Sequence, residues 1–234
     1  MQHEVCFATE FKRLVKYFPK SILENNFSTD LFSAQGPATD SGKQPVIFLN
    51  PVTGTQAWHL MTWGCMPFDL TDALISSRQW AFMLYTPAER IFGDTKSYWH
   101  KIRDQRCLVP VKGIYVHRTV ENVHHRIPYF VHLPDQPVFF LPGLYSADEA
   151  IDTITRQKIV RFVFTIISSP PNSLMKHLCF GQEKNRTIPL LLPFSLACQW
   201  LEHKLSEAGY RAILEFEMPA DALQAWPIYS AQPE

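Results

Sequence analysis

The chain has 234 residues, of which 46% are hydrophobic and 13% aromatic, enough for one large domain with a buried core. Its 22 Lys and Arg residues balance 22 Asp and Glu residues, which excludes a protein that holds nucleic acid through a globally basic surface. We therefore expect a single domain over 1–234, with any DNA contact confined to a local patch.

The cysteines and the first residues bear on the compartment. The five cysteines are odd in number, widely spaced and without a Cys-x-x-Cys pair, so neither a disulfide framework nor a zinc site is predicted. The stretch MQHEV lacks the features of a signal peptide, and no apolar run reaches the roughly 18 residues that a membrane span needs. We expect a soluble, cytoplasmic protein with no metal, no cofactor and no membrane partner.

Hydrophobic periodicity gives the elements in chain order. Phe11, Leu14 and Phe18 recur at helical spacing opposite basic residues, so a short amphipathic helix is predicted over 10–18, ending before Pro19. Residues 32–43 have the composition of a loop. The other predicted elements are strands 45–49 and 56–62, a helix or loop 70–82, a helix 95–102, strands 127–133, 138–144, 160–168 and 187–192, and a helix 193–205.

The segment RCLVPVKGIYVH at 106–117 is predicted to form a hairpin, with one strand, a turn containing Pro110 and Gly113, and a second strand. The second strand ends at Val116 and His117, with no carboxylate. Many short strands with a few helices, and no regular alternation between them, indicate an α+β or mostly β domain and not a doubly wound sheet.

Motifs in a fixed order resemble one known family over essentially the entire chain. They are CF at 6–7, WGCMPF at 63–68, RCLVPVKGIY at 106–115, FFLPGLY at 139–145, FTIISSPPNSLMKH at 164–177, IPLLL at 188–192 and WPIYS at 226–230. Together they resemble the SOS response-associated peptidase (SRAP) or abasic-site processing family, in a divergent form.

The resemblance implies an α+β, mostly β fold, with a pseudo-barrel of short antiparallel strands and a few peripheral helices. It also implies binding of single-stranded or abasic-site DNA in the DNA damage response. In the family, an amino-terminal cysteine attacks the ring-opened aldehyde of an abasic sugar and forms a thiazolidine crosslink, and the peptidase activity is interpreted as self-removal of the residues before that cysteine.

Cys6 corresponds to the family cysteine. A thiazolidine needs an amine and a thiol on adjacent carbons, and only an N-terminal cysteine offers both. MQHEV precedes Cys6, so its nitrogen is an amide, and removal of Met1 alone would expose Gln2. The alternative role for Cys6 is that of a small buried hydrophobic residue.

The family's N-A-R-x-E-T motif falls on YTPAERIF. Depending on the anchor, its Asn position is occupied by Tyr85 or Thr86, and its Arg position by Pro87 or Ala88. The amide and the phosphate-binding guanidinium are lost in both cases. Glu89 matches the motif's Glu under the first anchor, or else is a solvated carboxylate.

Val116 stands where relatives carry a catalytic Glu, and it can neither accept nor donate a proton. His117 stands where relatives carry a Trp near the DNA bases. His177 matches the family's His, which assists ring opening and proton transfer, although a satisfied core histidine is an equal alternative. Cys6 and His177 are thus the remaining catalytic candidates, with Tyr85, Thr86 and Val116 at degenerate positions.

The predicted DNA contacts are Trp63, Pro67, Glu89, Arg106 and His117. Trp63 and Pro67 match the family's W-G-x-x-P, and the Trp could stack on a base or pack beneath a loop. His124, His125 and Arg126 at a hairpin tip are interpreted as plain surface.

Three functions stay open at this point. The first is a DNA-binding family member with a degenerate site and no crosslinking. The second is an active crosslinking enzyme after exposure of Cys6 as the amino terminus. The third is a non-catalytic interaction module.

Overall fold

The computed structural model describes residues 4–8, 10–23, 43–65, 83–119, 126–151, 157–179 and 187–228. The strands are β1 (Glu4–Phe7), β2 (Ile22–Leu23), β3 (Lys43–Leu49), β4 (Gln56–Trp63), β5 (Tyr85–Pro87), β6 (Arg106–Thr119), β7 (Arg126–His132), β8 (Phe139–Ile151), β9 (Lys158–Ser169), β10 (Ile188–Pro189) and β11 (Gln224–Pro227). The helices are α1 (Phe11–Leu14), α2 (Ala88–Phe92), α3 (Tyr98–Lys101), α4 (Ser173–Leu178), α5 (Phe194–Trp200) and α6 (Glu207–Leu214), and a 3-10 turn covers Ala220–Ala222.

Five strands close into a barrel. β3 pairs with β4 and β6, β8 pairs with β6 and β9, and the parallel contact between β4 and β9 completes the ring. Closure removes exposed strand edges along the barrel wall. The chain is thus α+β and mostly β, which confirms the predicted fold class.

Alternation along the barrel strands separates two apolar clusters. On β3, Val46 and Phe48 face the barrel interior, whereas Ile47 and Leu49 face outward. The helices α1, α2, α3, α5 and α6 cover the outward cluster, where Trp58 and Trp200 are completely buried. The barrel therefore has a packed interior and a second core beneath its helices.

The segment predicted as a hairpin is one continuous strand, β6, so that prediction is wrong. Pro110 pairs with Phe140 of β8, and its carbonyl accepts a hydrogen bond of 3.0 Å from the Ala8 amide. Gly113 lies where the register with β1 shifts, and an added Cβ would lie 2.3 Å from the Phe130 ring and 2.8 Å from the Val131 carbonyl oxygen. Pro and Gly here mark a change of neighbouring strands and a close packing contact, not a turn.

Other predicted boundaries change less. The helix predicted over 10–18 ends at Leu14, the helix predicted over 193–205 ends at Trp200, and the strand predicted over 187–192 is confined to Ile188–Pro189. Residues 70–82 and most of the predicted loop 32–43 lie outside the described residues.

An antiparallel four-stranded sheet extends from one side of the barrel, in the order β1, β6, β7, β11. Its inner face carries Val5, Ile114, Val116 and Val131, all completely buried in the cluster that fills the barrel interior. We call the opposite face the outer face. It includes Cys6, Tyr115, Phe130 and Trp226, which alternate with those buried residues.

Candidate functional site

The two residues before Cys6, Glu4 and Val5, are part of the sheet. Glu4 pairs with Tyr115 and Val5 with Ile114, and the Val5 side chain is completely buried in the barrel cluster. The nitrogen of Cys6 is therefore a peptide amide inside a strand. Exposure of this nitrogen as an amine would require removal of a residue that packs in the core.

The Cys6 thiol is partly exposed on the outer face. Burial raises its pKa, while the positive charge of Lys112 and a hydrogen bond with Tyr115 act in the opposite direction and offset only part of that effect. Lys112 is the extra β6 residue where the register shifts from Cys6–Gly113 to Phe7–Val111, so the bulge places its amine beside the cysteine. The thiol is a weaker nucleophile than a thiolate activated by a dominant cation.

Val116 lies on the other face of β6 from Cys6. It is completely buried opposite Tyr129, in contact with the cluster of the barrel interior. The position where the resemblance predicts an acid in relatives thus holds a packed core side chain in this chain. The neighbouring His117 points to the outer face, where it is partly exposed and pairs with Pro128.

Trp63 and Tyr85 are brought together at the barrel. Their rings meet edge to face at 5.4 Å, and Phe7 approaches Trp63 at the same distance. The Trp63 indole N–H donates to the Leu84 carbonyl at 2.9 Å, and the ring lies nearly parallel to Phe164. Trp63 thus joins β1 and β5 as a packing residue, while Pro67 lies outside the described residues.

Thr86 and Glu89 have different surroundings. Thr86 is completely buried, and its hydroxyl has no hydrogen-bond partner in the structure. Glu89 is exposed on α2, at the edge of a cleft of about 270 Å³ that Arg211 of α6 also lines. The two residues lie on neighbouring elements but do not form one acid–base site.

Arg106 is not available to DNA, so its prediction as a DNA contact is wrong. Only 1% of the residue is exposed, and its guanidinium donates to the carbonyls of Trp200, Glu202 and His203. The guanidinium also lies 5.8 Å from the Trp200 ring and 5.4 Å from the Tyr210 ring. Burial lowers its pKa, and its role is to satisfy the carbonyls that follow α5.

His177 lies on the exposed side of α4. Met175 and Leu178 of the same helix are buried in the barrel cluster, whereas Lys176 and His177 face away from it. The exposed imidazole is not the satisfied core histidine that was one alternative. The catalytic alternative gains no support either, because no catalytic partner surrounds His177 among the described residues.

The residues that the sequence missed lie on the outer face beside Cys6. Tyr115, Phe130 and Trp226 pair directly across β6, β7 and β11, and His132 stacks on Phe130. The segment 127–133 is predicted as a strand, but the neighbours of Phe130 and His132 depend on the pairing of β7 with β11. The motif WPIYS contains Trp226 and by itself predicts no partner for that ring.

Within the described ranges, no three His, Cys, Asp or Glu side chains converge in a way that could hold a metal ion. Among the same residues, no helix is long and apolar enough to cross a bilayer.

A helix-covered five-stranded barrel with an extended antiparallel sheet defines an α+β domain of the mostly β type. The profile of the SOS response associated peptidase (SRAP) family matches residues 15–231, and the chain belongs to this family. The match starts after Cys6, so the role of Cys6 rests on the residues themselves. A search of curated proteins finds no match.

Solved structures share the fold. A protein from Bacteroides thetaiotaomicron superposes with a TM-score of 0.72 at 22% identity, over 97% of this chain and 91% of that protein. A phage-related protein from Bordetella bronchiseptica gives 0.63 at 16% identity, over 98% and 95%. Another B. bronchiseptica protein gives 0.64 at 16% identity, over 98% and 100%. At these identities the likeness shows the fold alone.

Proposed function

We propose that this SRAP-family protein binds single-stranded DNA, including strands with an abasic site, without forming the thiazolidine crosslink. One observation carries the proposal. Val5, the residue before Cys6, is completely buried and, as part of β1, pairs with Ile114 of β6. The cysteine nitrogen is therefore held as a peptide amide inside the sheet.

The chemistry of ring closure supports the loss of crosslinking. An amide nitrogen cannot form the imine that a thiol on the adjacent carbon would close into a five-membered ring. Thiol addition to an aldehyde alone gives a hemithioacetal, which reverses. Val116 supplies no proton transfer either, because its side chain is aliphatic and buried.

Self-processing is disfavoured on the same grounds. Removal of MQHEV would take Val5 out of the barrel cluster and break the pairs that Glu4 and Val5 make with β6. We infer that Glu4 and Val5 remain part of β1 in the working protein. All five thiols are free, which suits a reducing compartment and supports a cytoplasmic location, and the domain is proposed to span 1–234.

The test compares the full chain with a chain that starts at Cys6, produced by specific proteolysis of a fusion. Intact mass first establishes the amino terminus of each. Both are then incubated with an oligonucleotide carrying one abasic site, and covalent adducts are counted after denaturing electrophoresis. We expect no stable adduct from the full chain, and an adduct from it would contradict the proposal.

Non-covalent binding is measured separately by fluorescence anisotropy with an undamaged single strand. We expect binding that weakens as salt increases, because phosphate contacts release counterions. Absence of binding at low salt would refute the DNA-binding part and leave the interaction-module alternative. An adduct formed only by the chain that starts at Cys6 would assign activity to a trimmed form.

A further inference from the structure

The outer face presents three aromatic rings in one row. Tyr115 lies directly opposite Phe130, and Phe130 lies directly opposite Trp226, so the row crosses β6, β7 and β11. The ring centroids are 5.2 Å apart for the first pair and 5.4 Å for the second. We call Tyr115, Phe130 and Trp226 the aromatic row.

The rings of the row are accessible to different degrees. Trp226 is 43% exposed, whereas Trp58 and Trp200 are completely buried and Trp99 is 6% exposed. Tyr115 and Phe130 are partly exposed. His132 adds a fourth flat ring, stacked on Phe130 at 5.9 Å and 4.5 Å from Trp226.

Packing within the barrel does not require rings at these positions. The same strands already bury Ile114, Val116 and Val131 on the inner face, and that face holds the sheet against the barrel. Cross-strand aromatic pairs stabilise a sheet by themselves. The Trp226 indole at the end of the row, however, leaves much of its ring exposed, and stabilisation of the sheet does not account for that exposed surface.

Positive charge lies at both ends of this face. At one end, Lys112 and Arg13 flank the single carboxylate of Glu10, at 3.7 Å and 2.9 Å, so this group of three carries an excess positive charge. At the other end, Arg126 is exposed at the start of β7, on the same side of the strand as Phe130.

We propose that the aromatic row is a stacking platform for consecutive bases of a single-stranded nucleic acid, with phosphates near Lys112 and Arg126. The inference rests on the proposed function and locates its binding surface. Adjacent strands lie about 4.8 Å apart, so the row places three rings side by side across the sheet, tilted against one another by 54° and 42°. Base stacking on aromatic side chains of an open antiparallel sheet tolerates any sequence.

The aromatic row is a different surface from the pair Trp63 and Tyr85. Those two rings pack on one another at the barrel, and Trp63 also packs on Phe7 on the inner side of β1, whereas the row lies on the outer face. Cys6 borders the row through its hydrogen bond with Tyr115. An abasic sugar in a strand on this platform would meet a thiol but no free α-amine.

The test uses undamaged oligothymidine of about 20 nucleotides and fluorescence anisotropy. Trp226→Ala is expected to weaken binding by about fivefold or more, because one stacking ring is lost. Trp226→Phe retains a ring and should keep most of the affinity. Val160→Ala changes another exposed apolar side chain, on β9, and should bind like the wild type.

Thermal unfolding of each variant checks that the fold is kept, and photo-crosslinking of a bromouracil-substituted strand maps the contact by mass spectrometry. Adducts in the peptides that contain Trp226 or Tyr115 support the platform. If the wild type binds but Trp226→Ala and Tyr115→Ala bind equally well, the platform is refuted while the proposed function stands. If the wild type itself does not bind, the proposed function fails, and a change in sedimentation of Trp226→Ala would then assign the row to a protein contact.

Discussion

At the scale of single residues, the reactivity of Cys6 depends on Lys112. The amine opposes the effect of burial and keeps the pKa of the thiol lower than burial alone would set it. Lys112→Gln should raise the pKa of Cys6 further, which decreases the thiolate fraction at a fixed, mildly alkaline pH. We expect slower alkylation of Cys6 by iodoacetamide, followed by peptide mass spectrometry.

The matched control for that measurement is Lys158→Gln. Lys158 is exposed on β9, where it lies 3.8 Å from Glu149. The Lys158→Gln substitution should leave the alkylation rate of Cys6 unchanged. An equal or faster rate in Lys112→Gln would mean that Lys112 does not influence the thiol. In the wild type, the rate should increase with pH as the thiol ionises.

Arg106 was predicted from the sequence as a DNA contact, but in the structure it is a buried cation that stabilises the fold. Arg106→Lys cannot reproduce a planar fork that reaches the carbonyls of Trp200, Glu202 and His203. We expect a loss of about 1–3 kcal/mol in the free energy of unfolding, because buried carbonyls lose their donors. Thermal melting measures this loss, because each kcal/mol lowers the melting temperature by roughly 2–4 °C in a protein of this size.

Arg103→Lys is the control for Arg106. Arg103 donates to Glu207 at 2.8 Å, and the Glu207 side chain is 63% exposed. An ion pair with an exposed partner contributes about 0–1 kcal/mol, so this variant should melt close to the wild type. Single-strand binding by folded Arg106→Lys should equal that of the wild type. Weaker binding at equal folded fraction would restore Arg106 to the contact set.

At the scale of elements, β1 decides whether Cys6 can become an amino terminus. Val5→Ala removes two methyl groups from a completely buried position. We expect a loss of about 1–3 kcal/mol in the free energy of unfolding, since the barrel cluster refills only partly. Chemical denaturation monitored by tryptophan fluorescence gives the value.

Val52→Ala makes the same chemical change at a side chain that is 86% exposed, and it should alter stability by less than about 0.5 kcal/mol. Equal stability of Val5→Ala and the wild type would show that β1 contributes little. In that case the removal of MQHEV would become easier than the structure suggests, and the trimmed enzyme would regain support.

At the scale of the whole molecule, the balance of 22 basic and 22 acidic residues limits electrostatic binding. On the proposed platform we expect Lys112, Arg13 and Arg126 to make roughly two to three phosphate contacts, so log K should fall against log salt with a slope of about −1.5 to −2. Lys112→Gln should reduce that slope by about 0.7. Anisotropy titrations over a series of salt concentrations provide both values.

A slope steeper than about −4 would require more phosphate contacts than this surface supplies. Such a result would mean that DNA binds on a different surface from the outer face. A slope near zero with measurable affinity would indicate that stacking dominates and that the cations at the two ends of the outer face do not contact phosphates.

Local sequence predicted much of the architecture. Short runs of apolar and β-branched residues predicted β3, β4, β7 and β9 to within a few residues of their bounds, because such residues favour half-buried or fully buried strands. It failed on 106–117, where Pro110 and Gly113 were interpreted as a turn. There the deciding contacts are with Phe140, Phe130 and Ala8, which lie far away along the chain or on another strand.

The sequence by itself determined the chemistry that is covalently possible. Val5 precedes Cys6 and residue 116 is an aliphatic Val, so it follows from residue identity alone that the Cys6 nitrogen in this sequence is an amide and that residue 116 carries no proton. Only the tertiary structure decided that Arg106 is buried and that Tyr115, Phe130 and Trp226 form one row. The physical reason is that bonding and side-chain type are local, whereas burial and strand register depend on pairing between segments far apart in the chain, such as β1 with β6 and β7 with β11.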